Sequence, residues 1–129
     1  MKTILAPLAI LSLSACAIIP DTPRVGQEAA SQGTAIGLGK AVWAGDVILT
    51  PQAVTEDSRC PVDATCAWAG ELTVTTRITA THWAQTAQLT LGEPYEVMGR
   101  TFVLASATPD KRSEGTIVSA DYRFVYERR

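Results

Sequence analysis

Apolar and polar residues alternate most cleanly between Glu71 and Thr79, where Leu72, Val74, Thr76 and Ile78 fall on one side and Glu71, Thr73, Thr75 and Arg77 on the other. A period of two with one wet side is the signature of a half-buried strand in an antiparallel sheet. The same pattern recurs at short intervals. Ile36 to Val42 alternates around glycines that suit a sheet edge or bulge. Ala44-Gly45-Asp46 predicts a turn, and Val47 to Thr50 a strand that Pro51 breaks or bends before Ala53 to Thr55 resumes it. Gln85 to Leu91 places Ala87, Leu89 and Leu91 inward. Gly92-Glu93-Pro94 turns the chain, Tyr95 to Val97 is a short strand, and Gly99 marks a further turn. Arg100 to Ala107 alternates around Phe102 and Leu104, and Thr108 to Gly115 is a polar loop. Ile117 to Glu127 closes the series with Tyr122, Phe124 and Tyr126 on one face. Six to eight short strands at this spacing predict an all-β fold, a small antiparallel β-sandwich or partly open barrel, as a single domain over residues 36–129.

The first 35 residues follow a different pattern. Met1-Lys2 is a short positive start, and Thr3 to Leu13 is an apolar run too short to cross a bilayer, which takes about 20 residues. It has the form of a signal peptide over residues 1–15. Leu13-Ser14-Ala15-Cys16 resembles the bacterial lipoprotein box, which implies that Cys16 is acylated and begins the mature chain. Acyl chains hold a protein to a membrane at about 0.8 kcal/mol per buried methylene. Ala17 stands where an aspartate would signal retention in the inner membrane, so the resemblance implies the outer membrane, facing the periplasm. Residues 16–35 carry two prolines and no sustained apolar period, the composition of a disordered or partly helical tether.

Charge and cysteine content narrow the picture. Losing Lys2 with the leader takes the formal charge from −2 to −3, with both signs interspersed, so no basic footprint for nucleic acid is present. With Cys16 lipidated, Cys60 and Cys66 remain in an oxidising compartment, and their spacing suits a small disulfide ring. A redox pair would place two residues between its cysteines at a helix start, and a structural zinc site needs four ligands, whereas the only histidine is His82. Neither pattern is met, and no metal, cofactor or catalytic set is expected.

The ring lies in the densest stretch of the chain, residues 56–71. Trp68 is expected to fill the core or cover the disulfide, and otherwise to stand out as an anchor for a partner. Arg59 can clamp a carboxylate bidentately, first one of the neighbouring acids and otherwise a ligand. With Asp57 and Glu71, these form the candidate binding set. His82 precedes Trp83 between two strands, a packed turn histidine rather than an acid–base residue, and no G-x-S-x-G elbow accompanies the serines.

Asp57-Ser58-Arg59-Cys60-Pro61 followed by Cys66-Ala67-Trp68-Ala69-Gly70 resembles a signature of a group of small exported bacterial proteins, many of them lipoproteins. The likeness continues through Leu89 to Gly92 and Tyr122 to Phe124. It implies a domain type and a compartment, and it brings no reaction. The expectation is a membrane-anchored envelope lipoprotein with a non-enzymatic binding or structural role and an envelope protein as partner. The alternatives are an inhibitor of an envelope-directed hydrolase, a small periplasmic enzyme using His82 or the cysteines, and a carrier of a metal or small molecule in an open barrel mouth.

Overall fold

The structure is a computed structural model and describes residues 29–129. The expected signal peptide, Cys16 and most of the expected tether lie outside the described residues. Seven strands form two antiparallel sheets. The first has the order β1-β2-β3-β4, with β1 at Val42–Ala44, β2 at Val47–Asp57, β3 at Leu72–Thr79 and β4 at Ala84–Thr90. The second has the order β5-β6-β7, with β5 at Pro94–Val97, β6 at Arg100–Thr108 and β7 at Arg123–Arg128. The sheets are open, so the sandwich expectation holds and the barrel does not form.

The inward face of β3 is the one its alternation marks: Leu72, Val74, Thr76 and Ile78 are all fully buried. They meet Phe102, Leu104, Phe124 and Tyr126 from the other sheet, also fully buried. Thr76 is the one polar residue in this layer, and its hydroxyl bonds the Tyr126 hydroxyl at 2.9 Å, across the gap between the sheets. Burial pushes the Tyr126 phenol upward, so it stays neutral and remains available to that bond. Side chains from the two sheets thus meet in the space between them.

One strand expectation resolves and another changes. Pro51 bends β2 without ending it, and the ladder with β3 continues through register shifts at Pro51/Ala53 and Val54/Glu56. The Pro51 carbonyl accepts from the Gly39 N–H at 2.7 Å, on the β1 side of the strand. Its nitrogen faces the same way, past the last β1 pair at Val42/Leu49, where no ladder donor is required. The strand expected from Ile36 to Val42 is split between the sheets. Ile36 pairs with Phe124 of β7, whereas Val42 belongs to β1. Pairing also begins before Ile36: Ala30 bridges to Val42, and the Gln32 side chain accepts from the Gly45 N–H.

Each end of β2 is fastened to the opposite sheet through an aspartate. At its start, Asp46 binds Arg100 of β6 at 2.7 Å and Arg128 of β7 at 2.6 Å. Hydrogen bonds from Arg100 and then Arg128 hold the Asp46 carboxyl well below the usual carboxylate range. The other aspartate, Asp57, begins the candidate site.

Candidate functional site

The site is built where β2 runs out. Past Asp57 the β2 and β3 chains stay paired in irregular form: Ser58 N–H donates to the Glu71 carbonyl and Cys60 N–H to the Ala69 carbonyl, both at 2.8 Å. The two halves of the DSRCP and C-x-WAG motif are therefore hydrogen-bonded to each other. The Cys60–Cys66 disulfide is present, with Cα atoms 5.9 Å apart, and closes the tip of this extension.

The extension is held from below by one pair. Arg59 grips Asp57 bidentately, Nε to Oδ1 at 2.8 Å and Nη2 to Oδ2 at 2.9 Å. It also donates to the carbonyls of Ala107 at 3.3 Å and Pro109 at 3.1 Å, at the end of β6. The Tyr122 hydroxyl donates to Asp57 Oδ2 at 2.7 Å, and the Lys111 ammonium donates to the Asp57 backbone carbonyl. Both side chains of the ion pair are nearly enclosed, 13% exposed for Arg59 and 12% for Asp57. Burial acts to raise the Asp57 pKa, but the hydrogen bonds from Arg59 and Tyr122 outweigh it, and the carboxyl ends below its ordinary value. Burial and the bond to Asp57 push the Tyr122 phenol up to about 12.

The loop between β6 and β7 is fastened to the disulfide ring as well. Val62 N–H donates to the Lys111 carbonyl at 2.9 Å, and the Ser113 N–H and hydroxyl both donate to Asp63. Those two donors hold the Asp63 carboxyl below its usual range.

Of the four candidate binding residues, Asp57 and Arg59 are therefore turned inward on each other. Every nitrogen of the Arg59 guanidinium already has an acceptor. Glu71 is exposed at the root of the extension, and the Glu56 carboxyl beside it pushes its pKa up. Trp68 departs most from expectation. It is 81% exposed, neither in the core nor over the bridge. Val62, on the disulfide ring that precedes Trp68, is 57% exposed, and Val118, on the loop tied to that ring, is also exposed. Sequence reasoning missed Tyr122, Lys111 and Ser113 as supports, because they lie 50 residues or more from their partners and no local spacing signals them.

His82 is exposed on the β3–β4 turn. The disulfide extension precedes Leu72 and this turn follows Thr79, so the two features sit at opposite ends of β3, roughly 25 Å apart at the usual strand rise. A cleft of ≈ 560 Å³ opens between residues 30–40 and Ser119–Arg123, and its lining among the described residues includes Lys40 and Arg123 but no carboxylate or imidazole.

The ring itself adds stability. Replacing both Cys60 and Cys66 by serine should cost about 2–2.5 kcal/mol by the loop-entropy relation. That is roughly 10 °C in Tm for a domain of this size, readable by thermal unfolding. An unchanged Tm would remove the staple role. Comparison with models of protein families, with curated proteins and with solved structures finds no match to this chain.

Proposed function

We propose that this protein is a lipid-anchored component of the bacterial envelope, held at the outer membrane through Cys16, that binds an envelope protein through the Cys60–Cys66 extension and performs no catalysis. The observation that carries the reading is Trp68, 81% exposed on a loop that is otherwise tied down at every level. A large ring standing in water on a flexible loop would signal little. Here the disulfide, the Ser58–Glu71 and Cys60–Ala69 bonds and the Asp57–Arg59 pair fix the backbone beneath it. Such preorganisation lowers the entropy lost on binding, and an exposed tryptophan is the side chain most often found carrying interface energy. The lipobox and leader support the compartment, and an oxidising compartment suits the disulfide.

The test is cross-linked recovery from native envelopes with the full protein and with Trp68→Ala. The ring contributes little burial, so this variant should melt within about 0.5 kcal/mol of the parent. A partner recovered with the parent and lost with Trp68→Ala is the expected result. Equal recovery by both proteins would overturn the reading. If the recovered partner is a hydrolase and the parent slows it, the binding role is inhibition, for which a rigid protruding loop is well suited.

A further inference from the structure

Two open sheets have four edges, and this protein covers or blunts three of them. The β1 edge is capped by Ala30, which donates to the Ala41 carbonyl and accepts from the Trp43 N–H. The β7 edge carries Ile36, which exchanges both backbone bonds with Phe124, and its sequence includes Arg123, Glu127 and Arg128. The β5 edge is four residues long, begins with Pro94 and contains Glu96. These are the devices that keep sheets from joining edge to edge.

Among the described residues, the β4 edge has none of them. It is seven residues long, Ala84-Gln85-Thr86-Ala87-Gln88-Leu89-Thr90, with no charge, proline or glycine. Its register with β3 is unbroken from Thr73/Thr90 to Thr79/Ala84. Bonds flanking the pair fix which backbone groups point outward. Leu91 N–H donates to the Leu72 carbonyl, and Ala80 N–H to the Trp83 carbonyl. Counting inward by twos, Gln85, Ala87 and Leu89 bond β3, and Ala84, Thr86, Gln88 and Thr90 face away from it. The Thr90 carbonyl is already taken by the Glu93 N–H in the following turn. The edge groups left over belong to Ala84, Thr86 and Gln88, a set centred on Thr86.

We propose that β4 is a self-pairing edge, through which two copies of this chain join antiparallel about a two-fold axis at Thr86. That register sets Thr86 against Thr86 of the second copy and Ala84 against Gln88. All three residues then exchange both backbone bonds, and the two four-stranded sheets become one of eight. A closed two-fold interface is the commonest solution for identical chains. The facing residues Ala84, Thr86 and Gln88 carry no charge. On the face beside the seam Thr55, Thr75 and Gln88 bond one another in a neutral network, while the Arg77 guanidinium, which donates to Thr86 Oγ1 at 3.1 Å, has to turn aside from its counterpart when two copies pair. The interface is separate from the Trp68 extension and does not depend on the binding role proposed for it.

The geometry makes a sharp test. In a hydrogen-bonded antiparallel pair the facing Cα atoms are about 5.5 Å apart, within disulfide range. The full chain carrying Thr86→Cys should form a covalent dimer on mild oxidation. Ala84→Cys should not, because its counterpart lies four residues along, and the parent chain, with its own cysteines, serves as background. The parent should sediment as a dimer at tens of micromolar. Thr86→Pro, which removes only an outward N–H, and Thr86→Lys, which brings two ammonium groups and both Arg77 side chains together, should each sediment as folded monomers. A parent that stays monomeric at every concentration overturns the proposal. Equal cross-linking at positions 84 and 86 overturns it too, since it marks random collision.

Discussion

Replacing Asp57 by alanine should lower stability by about 3 kcal/mol, on the order of 15 °C in Tm, without touching the core. Asp57 is the single acceptor shared by Arg59 and Tyr122, and its own carbonyl receives Lys111. Removing the carboxylate leaves the Arg59 guanidinium enclosed with only the Ala107 and Pro109 carbonyls as partners. Breaking a buried pair from one side costs about 3–5 kcal/mol, mainly through the charge left behind. The low end applies here, because both side chains keep some contact with water. The double change Asp57→Ala with Arg59→Met should therefore recover part of the loss. If Asp57→Ala costs less than about 1 kcal/mol in denaturant unfolding, the pair does not hold the extension.

The same group shapes the pH dependence, and the sign is fixed by its neighbours. The folded-state pKa of Asp57 lies below its ordinary value, so the unfolded chain binds the proton more readily. The stabilisation is fully present above about pH 4 and is lost as pH falls through the lowered value. Asp46 and Asp63 shift in the same direction and add to this acid limb. Tyr122 works at the other end of the scale. With its pKa raised to about 12, the folded chain keeps the phenolic proton that the unfolded chain gives up near pH 10, so stability falls as pH rises through that window. Asp57→Asn should flatten part of the acid limb and leave the remainder to Asp46 and Asp63. An acid limb identical to the parent's would show that the Asp57 clasp is not linked to folding.

The strand faces were legible because alternation is local. Leu72, Val74, Thr76 and Ile78 turn inward as their spacing predicts, as do Ala87, Leu89 and the aromatic series Tyr122, Phe124 and Tyr126. Period two reports which face a side chain takes, but it is silent on which sheet a strand joins. That is why Ile36 and Val42, seemingly one strand, part company across Gly37 and Gly39. It is also silent on partners 48 to 65 residues away, so the Arg59 contacts with Ala107 and Pro109 and the Tyr122 contact with Asp57 had no signal. The clustering of unusual residues in 56–71 did mark the right place. Within it, the general tendency of large rings to be buried pointed the wrong way for Trp68, because the extension projects beyond the two sheets whose contact forms the core.

Gly70→Ala should be as damaging as the loss of Asp57, about 3 kcal/mol, although it adds only a methyl group. Gly70 has φ +68°, a region that carries a penalty of roughly 1–2 kcal/mol for any residue with a Cβ. The larger obstacle is contact. A Cβ at this position would lie 1.8 Å from the Ser58 carbonyl oxygen and 2.5 Å from its carbonyl carbon. Both are backbone atoms, so no rotamer change relieves the clash, and the two chains must separate. Separation strains the bonds from Ser58 to Glu71 and from Cys60 to Ala69, which carry the extension out to the disulfide. The glycine of the WAG motif is therefore required by the close approach of the DSR segment opposite it. Thermal and denaturant unfolding read the loss directly, and the parent's disulfide should remain, because Cys60 and Cys66 lie on the far side of the pinch. A Gly70→Ala protein within about 0.5 kcal/mol of the parent would mean that the chains can part here freely. The rigid platform beneath Trp68 would then have to rest on the disulfide and the Asp57–Arg59 pair alone.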